Sequence, residues 1–152
     1  MNLFRCSDLP EGLAFTHLKQ DDAQIVAKHW KYTTPGSVEQ DKHMIANYPS
    51  VGVRELSTNR LVAWIIMYYD MSFSKANVLP EYRNRGVIKC IVQEMMLRVQ
   101  KLGSECFFAF IDVNNDASLT AMKNCFINIF EERFVWVSYE PNSKARYHSF
   151  DS

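Results

Sequence analysis

Leu79-Pro80-Glu81-Tyr82-Arg83-Asn84-Arg85-Gly86-Val87-Ile88 joins a strand-like run to a strongly amphipathic helix through a basic turn that contains a glycine. The first turn of a helix leaves N–H groups without intrahelical partners, and the aligned peptide dipoles concentrate partial positive charge there. An anion is stabilised at such a place without any special side chain. Gly86 has no Cβ to hold a phosphate oxygen away from those amides, and Arg83 and Arg85 add charge-assisted donors. Pro80 closes the preceding strand, because it brings no N–H to a ladder and biases Leu79 toward extended backbone. The stretch reads as a cradle for a pyrophosphate. An ordinary strand-to-helix turn with solvated arginines is the competing reading, since glycine-containing turns are common.

Downstream, Val87, Ile88, Ile91, Val92, Met95, Met96 and Val99 recur at helical spacing, so a helix is predicted to about Leu102, with Gly103 as its stop. Cys106 to Ile111 is apolar without alternation, the pattern of a central strand covered on both faces. A strand, a helix and then such a strand predict a right-handed parallel crossover. Asp116 is read as a cap and Ala117 to Cys125 as a helix. Phe126 to Tyr139, rich in aromatic and β-branched residues, is expected to supply one long or two short strands.

Upstream, Met71 to Val78 reads as the strand leading into the basic turn. Val51 to Leu56 and Leu61 to Asp70 flank Ser57-Thr58-Asn59-Arg60 as an antiparallel hairpin. Gly12 to Leu18 alternates like a first strand, and Asp21 and Asp22 read as the cap of a helix carrying Ala23, Val26 and Trp30. Ser37 with Gln40 three residues later resembles a capping box for a second helix that ends near Tyr48-Pro49.

A chain of 152 residues with 47% hydrophobic composition is most simply one globular domain. Residues 1–11 are read as an N-terminal extension, 12–140 as the domain and 141–152 as a polar tail. Lys+Arg and Asp+Glu each number 17, so no broad electrostatic footprint for nucleic acid exists. Cys6, Cys90, Cys106 and Cys125 lie far apart without a Cys-x-x-Cys pair, which favours reduced thiols. Cys106 and Cys125 read as packed and inert, and Cys90 lies near the basic turn. His17, His29, His43 and His148 lack metal-ligand spacing, and His29 beside an apolar stripe reads as structural. No apolar run approaches membrane-spanning length, so an intracellular setting, cytoplasmic or mitochondrial, is expected. Oligomeric state is left open between monomer and dimer.

The order of elements, together with Leu79-Pro80-Glu81-Tyr82-Arg83 and Gly86, Val26 through Trp30, Ile45 through Ser50, Trp64, Lys101-Leu102-Gly103, and Ile111-Asp112 with Asn115 and Ala117, resembles the GCN5-related N-acetyltransferase superfamily. Within it the chain is most similar to the C-terminal acyltransferase half of the glycine N-acyltransferase family. The resemblance implies an α/β (α+β) fold whose mixed central sheet, flanked by helices, holds acyl-coenzyme A between splayed parallel strands. It implies an N-acyltransferase moving an acyl group from acetyl-CoA or another acyl-CoA to a small amine such as glycine, with no metal. Arg83, Asn84, Arg85, Gly86, Val87 and Ile88 would hold the pyrophosphate. Val78 and Leu79 would offer backbone groups to the pantetheine arm, and Asn115, Ser118 and Met122 would meet the same arm from the next strand and helix. Asn115 reads equally as a local cap.

Two positions depart from the superfamily pattern. Met122 stands where a tyrosine often protonates the leaving thiolate, and Ser72 stands where the glycine N-acyltransferase family places a glutamate base. A serine hydroxyl is not a base at neutral pH but can orient a water. Asp70, the nearest carboxylate, is expected on the same strand face as Ser72, because side chains alternate. These departures keep a non-catalytic acyl-CoA-binding module open as an alternative, and acetylation of a protein N-terminus or lysine as a further one. The family compared also has an N-terminal half that this chain lacks.

Overall fold

A computed structural model of the chain describes residues 9–104, 106–125 and 128–135. In chain order the elements are β1 (Leu13–Thr16), α1 (Ala23–Lys28), α2 (Ser37–Asn47), β2 (Ser50–Glu55), β3 (Leu61–Met67), β4 (Ser72–Val78), α3 (Val87–Lys101), β5 (Phe108–Ala109) and α4 (Asp116–Asn124). The strands form one mixed sheet in the order β1-β2-β3-β4-β5. β1 to β4 are antiparallel neighbours, and β5 runs parallel to β4.

The sheet is built around β3, all seven of whose residues are buried. A strand read as Leu-Val-Ala-Trp-Ile-Ile-Met has no polar face, so it is stable only with cover on both sides. α1 packs on α2 and α3 on α4, while α2 and α3 both lie against β3; the two helix layers therefore cover opposite faces. On the α1 face, His29 meets the buried Trp64 edge-on at 5.3 Å between ring centroids, and its Nδ1 donates to the Ile25 carbonyl. On the other face, α3 buries Val87, Ile91, Val92, Met95 and Val99. Gly52 of β2 is required by close approach, because a Cβ there would meet Thr16 Cγ2 at 2.9 Å and Leu18 Cδ2 at 3.0 Å. Arg54 Nη2 donates to both oxygens of Asp22 at 2.7 Å, tying β2 to the entry of α1.

Five expectations are corrected. Ser37 does not form a capping box: Gly36, at φ 94°, is the N-cap of α2, and Ser37 Oγ instead accepts the Thr34 N–H. Asp70 is not on β4. It lies in the turn before it, where Met71 takes φ 67°, so side-chain alternation does not govern its direction. Among the described residues the run Cys106–Ile111 is not a covered central strand: Phe108 and Ala109 alone pair, on one side, and Phe108 and Phe110 are 40% and 44% exposed. Cys106 is exposed, whereas Cys90 and Cys125 are buried. Residues 128–135 carry no strand; the rest of the expected final strands lies outside the described residues, as do Cys6 and His148.

Candidate cofactor loop and acceptor cleft

The basic turn is held from below and open above. Pro80–Tyr82 makes one 3-10 turn in which Tyr82 is buried and donates from its hydroxyl to Glu55 Oε1 at 2.9 Å. Arg60 pairs with Glu81 at 2.7 Å, so the turn is anchored to the β2–β3 hairpin. Arg83, Asn84, Arg85 and Gly86 are all exposed. Asn84 and Gly86 both sit in the left-handed region, at φ 59° and 77°. Glycine is the residue that reaches this region without strain, and asparagine tolerates it.

Gly86 is the N-cap of α3, and no side chain caps that end. Cys90 N–H already bonds the Gly86 carbonyl, so the amides of Val87 and Ile88 precede the first intrahelical bond. A Cβ built on Gly86 would meet no atom within 4 Å. The space above the helix start is therefore free, which fits the docking of an anionic group. Arg83 Nε donates to the Val78 carbonyl at 2.9 Å, and the Arg85 guanidinium lies 5.7 Å from the Tyr82 ring centroid. An open cavity of about 440 Å³ between Gly12, Leu56, Tyr82 and Arg85 lies on the β1–β2 side of this loop, and no residue of β4 or β5 lines it.

β4 and β5 pair only at Ser72–Phe108 and Phe73–Ala109. Beyond Phe73 the pairing stops, because β5 ends at Ala109, and β4 runs on to Val78 without a described partner on that side. A register shift on the β3 side, between Trp64 and Ile66, accompanies the departure, with Lys75 at φ 52°. This is a bulge, which bends its strand and ends regular pairing. Leu79 N–H donates to Val62 and the Leu79 carbonyl accepts from Tyr82, so both of its backbone groups have partners. Because antiparallel bonds alternate in direction, that Leu79–Val62 bond turns the peptide groups of Val78 toward the open side. There the Val78 carbonyl takes Arg83 and its N–H faces the split.

At the start of the split, Ser72 is buried and its Oγ donates to Asp70 Oδ1 at 2.7 Å. The same carboxylate oxygen accepts the Ser72 N–H at 2.9 Å. Asp70 thus meets Ser72 through a turn hydrogen-bonded to its own strand. On the far side, Asn115 caps α4, its Oδ1 accepting the Ser118 N–H at 3.1 Å. Met122 is buried in the core at 8% exposure.

Two clusters escaped the sequence reading. Asp112, just after β5, accepts from Lys31 Nζ at 2.5 Å and Tyr32 hydroxyl at 2.8 Å, which pins the α1–α2 connection across the split. Those bonds and the Asn114 N–H hold its carboxyl down at about 2. Beneath that connection, Lys75 Nζ lies 2.6 Å from Asp41 Oδ1, with side chains 2% and 0% exposed. Burial pushes the Asp41 carboxyl up and Lys75 pulls it back down. The sequence signal was present: Asp41 shares the buried stripe of α2 with Ser37, Met44 and Ile45, where a carboxylate needs a partner. Among the described residues no helix is long and apolar enough to cross a membrane, and no group of three or more metal-ligating side chains gathers.

A family model described as FR47-like protein matches residues 50–135, more than half of the chain. No curated protein matches the chain significantly. Among solved structures, a Drosophila protein is 24% identical with a TM-score of 0.74, over 81% of this chain and 41% of that one. This chain therefore spans less than half the length of that relative. The aminoglycoside acetyltransferase AAC(6')-Iy, in complex with a coenzyme A bisubstrate analogue, is 10% identical with a TM-score of 0.66, over 84% of this chain and 98% of that one. An acetyltransferase of the GNAT family from Xanthomonas campestris is 16% identical with a TM-score of 0.59, over 84% of this chain and 96% of that one. At these identities the likeness establishes the fold, which is that of the GCN5-related N-acetyltransferases.

Proposed function

The chain belongs to the FR47-like family, and on that premise we propose that it is an acyl-coenzyme A dependent N-acyltransferase acting on a small amine, glycine or another amino acid. The observation that carries this reading is the exposed, uncapped start of α3 beside strands that part. The diphosphate of the co-substrate lies on the amides of Val87 and Ile88, with Arg83, Asn84 and Arg85 around it and Gly86 leaving the approach clear. The pantetheine arm runs along the open edge of β4, where the Val78 N–H serves it as an added strand would. Leu79 contributes its side chain, since its backbone groups are engaged. Asn115, Ser118 and Met122 bound the arm from α4.

In the reaction the amine nitrogen attacks the thioester carbonyl carbon, the C–N bond forms, the C–S bond breaks, the nitrogen gives up one proton, and the departing thiolate takes one up from solvent and leaves as the thiol. An activated thioester needs mainly positioning and carbonyl polarisation. Ser72 Oγ, whose own hydrogen is directed at Asp70, keeps its lone pairs for the amine N–H and relays the proton toward Asp70. The Leu-Pro-Glu-Tyr-Arg run and the branched Ile88 support the glycine N-acyltransferase branch. A second reading, a non-catalytic acyl-coenzyme A binding module, is favoured by Met122, which brings no acidic proton to the departing sulfur.

Calorimetry with coenzyme A tests the reading directly. Gly86→Glu is expected to weaken affinity at least tenfold; absence of binding by the wild type, or equal affinity of the two chains, overturns it. Mass spectrometry after incubation with acetyl- and benzoyl-coenzyme A and an amine panel separates the enzyme from the module, which binds but forms no adduct.

A further inference from the structure

Two buried polar atoms of opposite sense lie unpartnered on the α1–α2 side of β4. Asp41 Oδ2 has no hydrogen-bond partner, although Asp41 Oδ1 has Lys75, and Asn77 Nδ2 has none either. Buried polar atoms are almost always satisfied, so each such exception asks for a ligand or a water. The two belong to one side of the sheet. Asn77 pairs with Trp64, whose ring meets His29 at the end of α1, and paired residues on neighbouring strands project to the same face. Lys75 reaches Asp41 of α2 on that same layer, with its Nζ 5.9 Å from the Trp30 ring centroid.

Their position along the chain is as telling as their chemistry. Lys75 and Asn77 follow Phe73, the last β4 residue that pairs with β5, so both fall within the parted segment. The exposed connection Lys31–Gly36 leads from the end of α1, where Trp30 lies near Lys75, to the start of α2, and is fastened at its start to Asp112 beyond β5. A hydrogen-bond acceptor from α2 and a donor from β4 thus lie on the side of the sheet opposite α3, the side on which the α1–α2 connection is tied to Asp112.

We propose that these two groups are the acceptor subsite: Asp41 Oδ2 takes an N–H of the acceptor's amine, and Asn77 Nδ2 donates to an oxygen carried beside that amine. The proposal rests on the acyl-transfer reading and assigns its amino-acid acceptor two anchors, Asp41 for the amine and Asn77 for the adjacent carboxylate or carbonyl. A satisfied donor and acceptor reject analogues that lack either group, because the buried partner is then left unpaired. Lys75 holds the Asp41 carboxylate in place and acts as a positioning residue. Proton transfer stays with Ser72 and Asp70; Asp41 orients the nitrogen.

The test measures thiol release from acetyl-coenzyme A with a panel of amino acids and the matching amines without the carboxylate. The wild type is expected to prefer the best amino acid at least tenfold in kcat/KM. Asp41→Asn, which presents a donor where an acceptor stood, is expected to raise KM for amino acid and amine alike at least tenfold, while calorimetric affinity for coenzyme A stays within twofold. Asn77→Ala is expected to remove the preference by raising KM for the amino acid only. Should Asp41→Asn unfold because Lys75 is left unpaired, the double variant D41N/K75M removes the buried charge and is expected to fold with the same KM defect. An unchanged KM in Asp41→Asn or D41N/K75M, or parallel loss of coenzyme A affinity in both, overturns the subsite. A wild type that binds no coenzyme A instead overturns the acyl-transfer reading beneath it.

Discussion

β3 and the run after α3 look alike in sequence and end in opposite environments. Leu61–Met67 and Cys106–Ile111 are both apolar without alternation, yet every residue of the first is buried while Phe108, Phe110 and Cys106 in the second are exposed. The difference lies in their neighbours. β3 has a hydrogen-bonded strand on each side and a helix layer on each face, whereas among the described residues β5 pairs for two residues with a strand that a bulge then bends. An apolar run states a capacity for burial; the partners decide whether it is used. The incomplete pairing at β5 leaves one side of β4 without a described partner beyond Phe73.

Substitutions on the two sides sharpen this contrast. Trp64→Ala, at a fully buried ring in the sheet centre, is expected to cost about 3–5 kcal/mol in urea unfolding, the largest effect among these variants. Asn115→Ala, which removes the cap of α4 at the rim of the split, is expected to cost about 1 kcal/mol in the same measurement. Phe108→Ala is expected to stay within about 1 kcal/mol, because much of that ring is already in solvent. Equal costs for Trp64→Ala and Phe108→Ala would erase the distinction between centre and rim.

Acid titration tests the rim in another way. The Asp112 carboxyl is held at about 2 by Lys31, the Asn114 N–H and Tyr32, below its ordinary value. A depressed folded pKa contributes stability that is complete above the unfolded value and is lost as pH falls through the folded one. NMR signals of Lys31 and Tyr32 are therefore expected to shift as pH falls toward about 2, and Asp112→Asn to remove that transition. A transition at an ordinary carboxylate pH would mean that the loop is not pinned in solution.

Much of the scaffold was legible because it follows local rules. Period-two alternation marked β1, the turn Ser57–Arg60 between two apolar runs marked the hairpin, period 3.6 marked α3, and Pro80 and Gly86 marked the two ends of the turn between β4 and α3. The exposed, uncapped character of that turn is also local, since it comes from the start of one helix and its own arginines. The pairing of Asp41 with Lys75 was not legible for the opposite reason: Asp41 on the apolar stripe of α2 calls for a partner, but that partner stands 34 positions away and nothing local names it. Asp70 reached Ser72 through a left-handed Met71 rather than through strand alternation, a turn geometry that the residue types did not reveal.

By itself, then, the chain of residues determined most of the helices and strands up to α3 and where that helix starts without a side-chain cap, because these depend on side-chain spacing and on backbone freedom at single glycines. The meeting of α2 with β4, the parting of β4 from β5 and the two unpartnered atoms between them were decided only by tertiary structure. Burial and pairing are properties of what surrounds a residue, and those surroundings are assembled from segments distant in sequence.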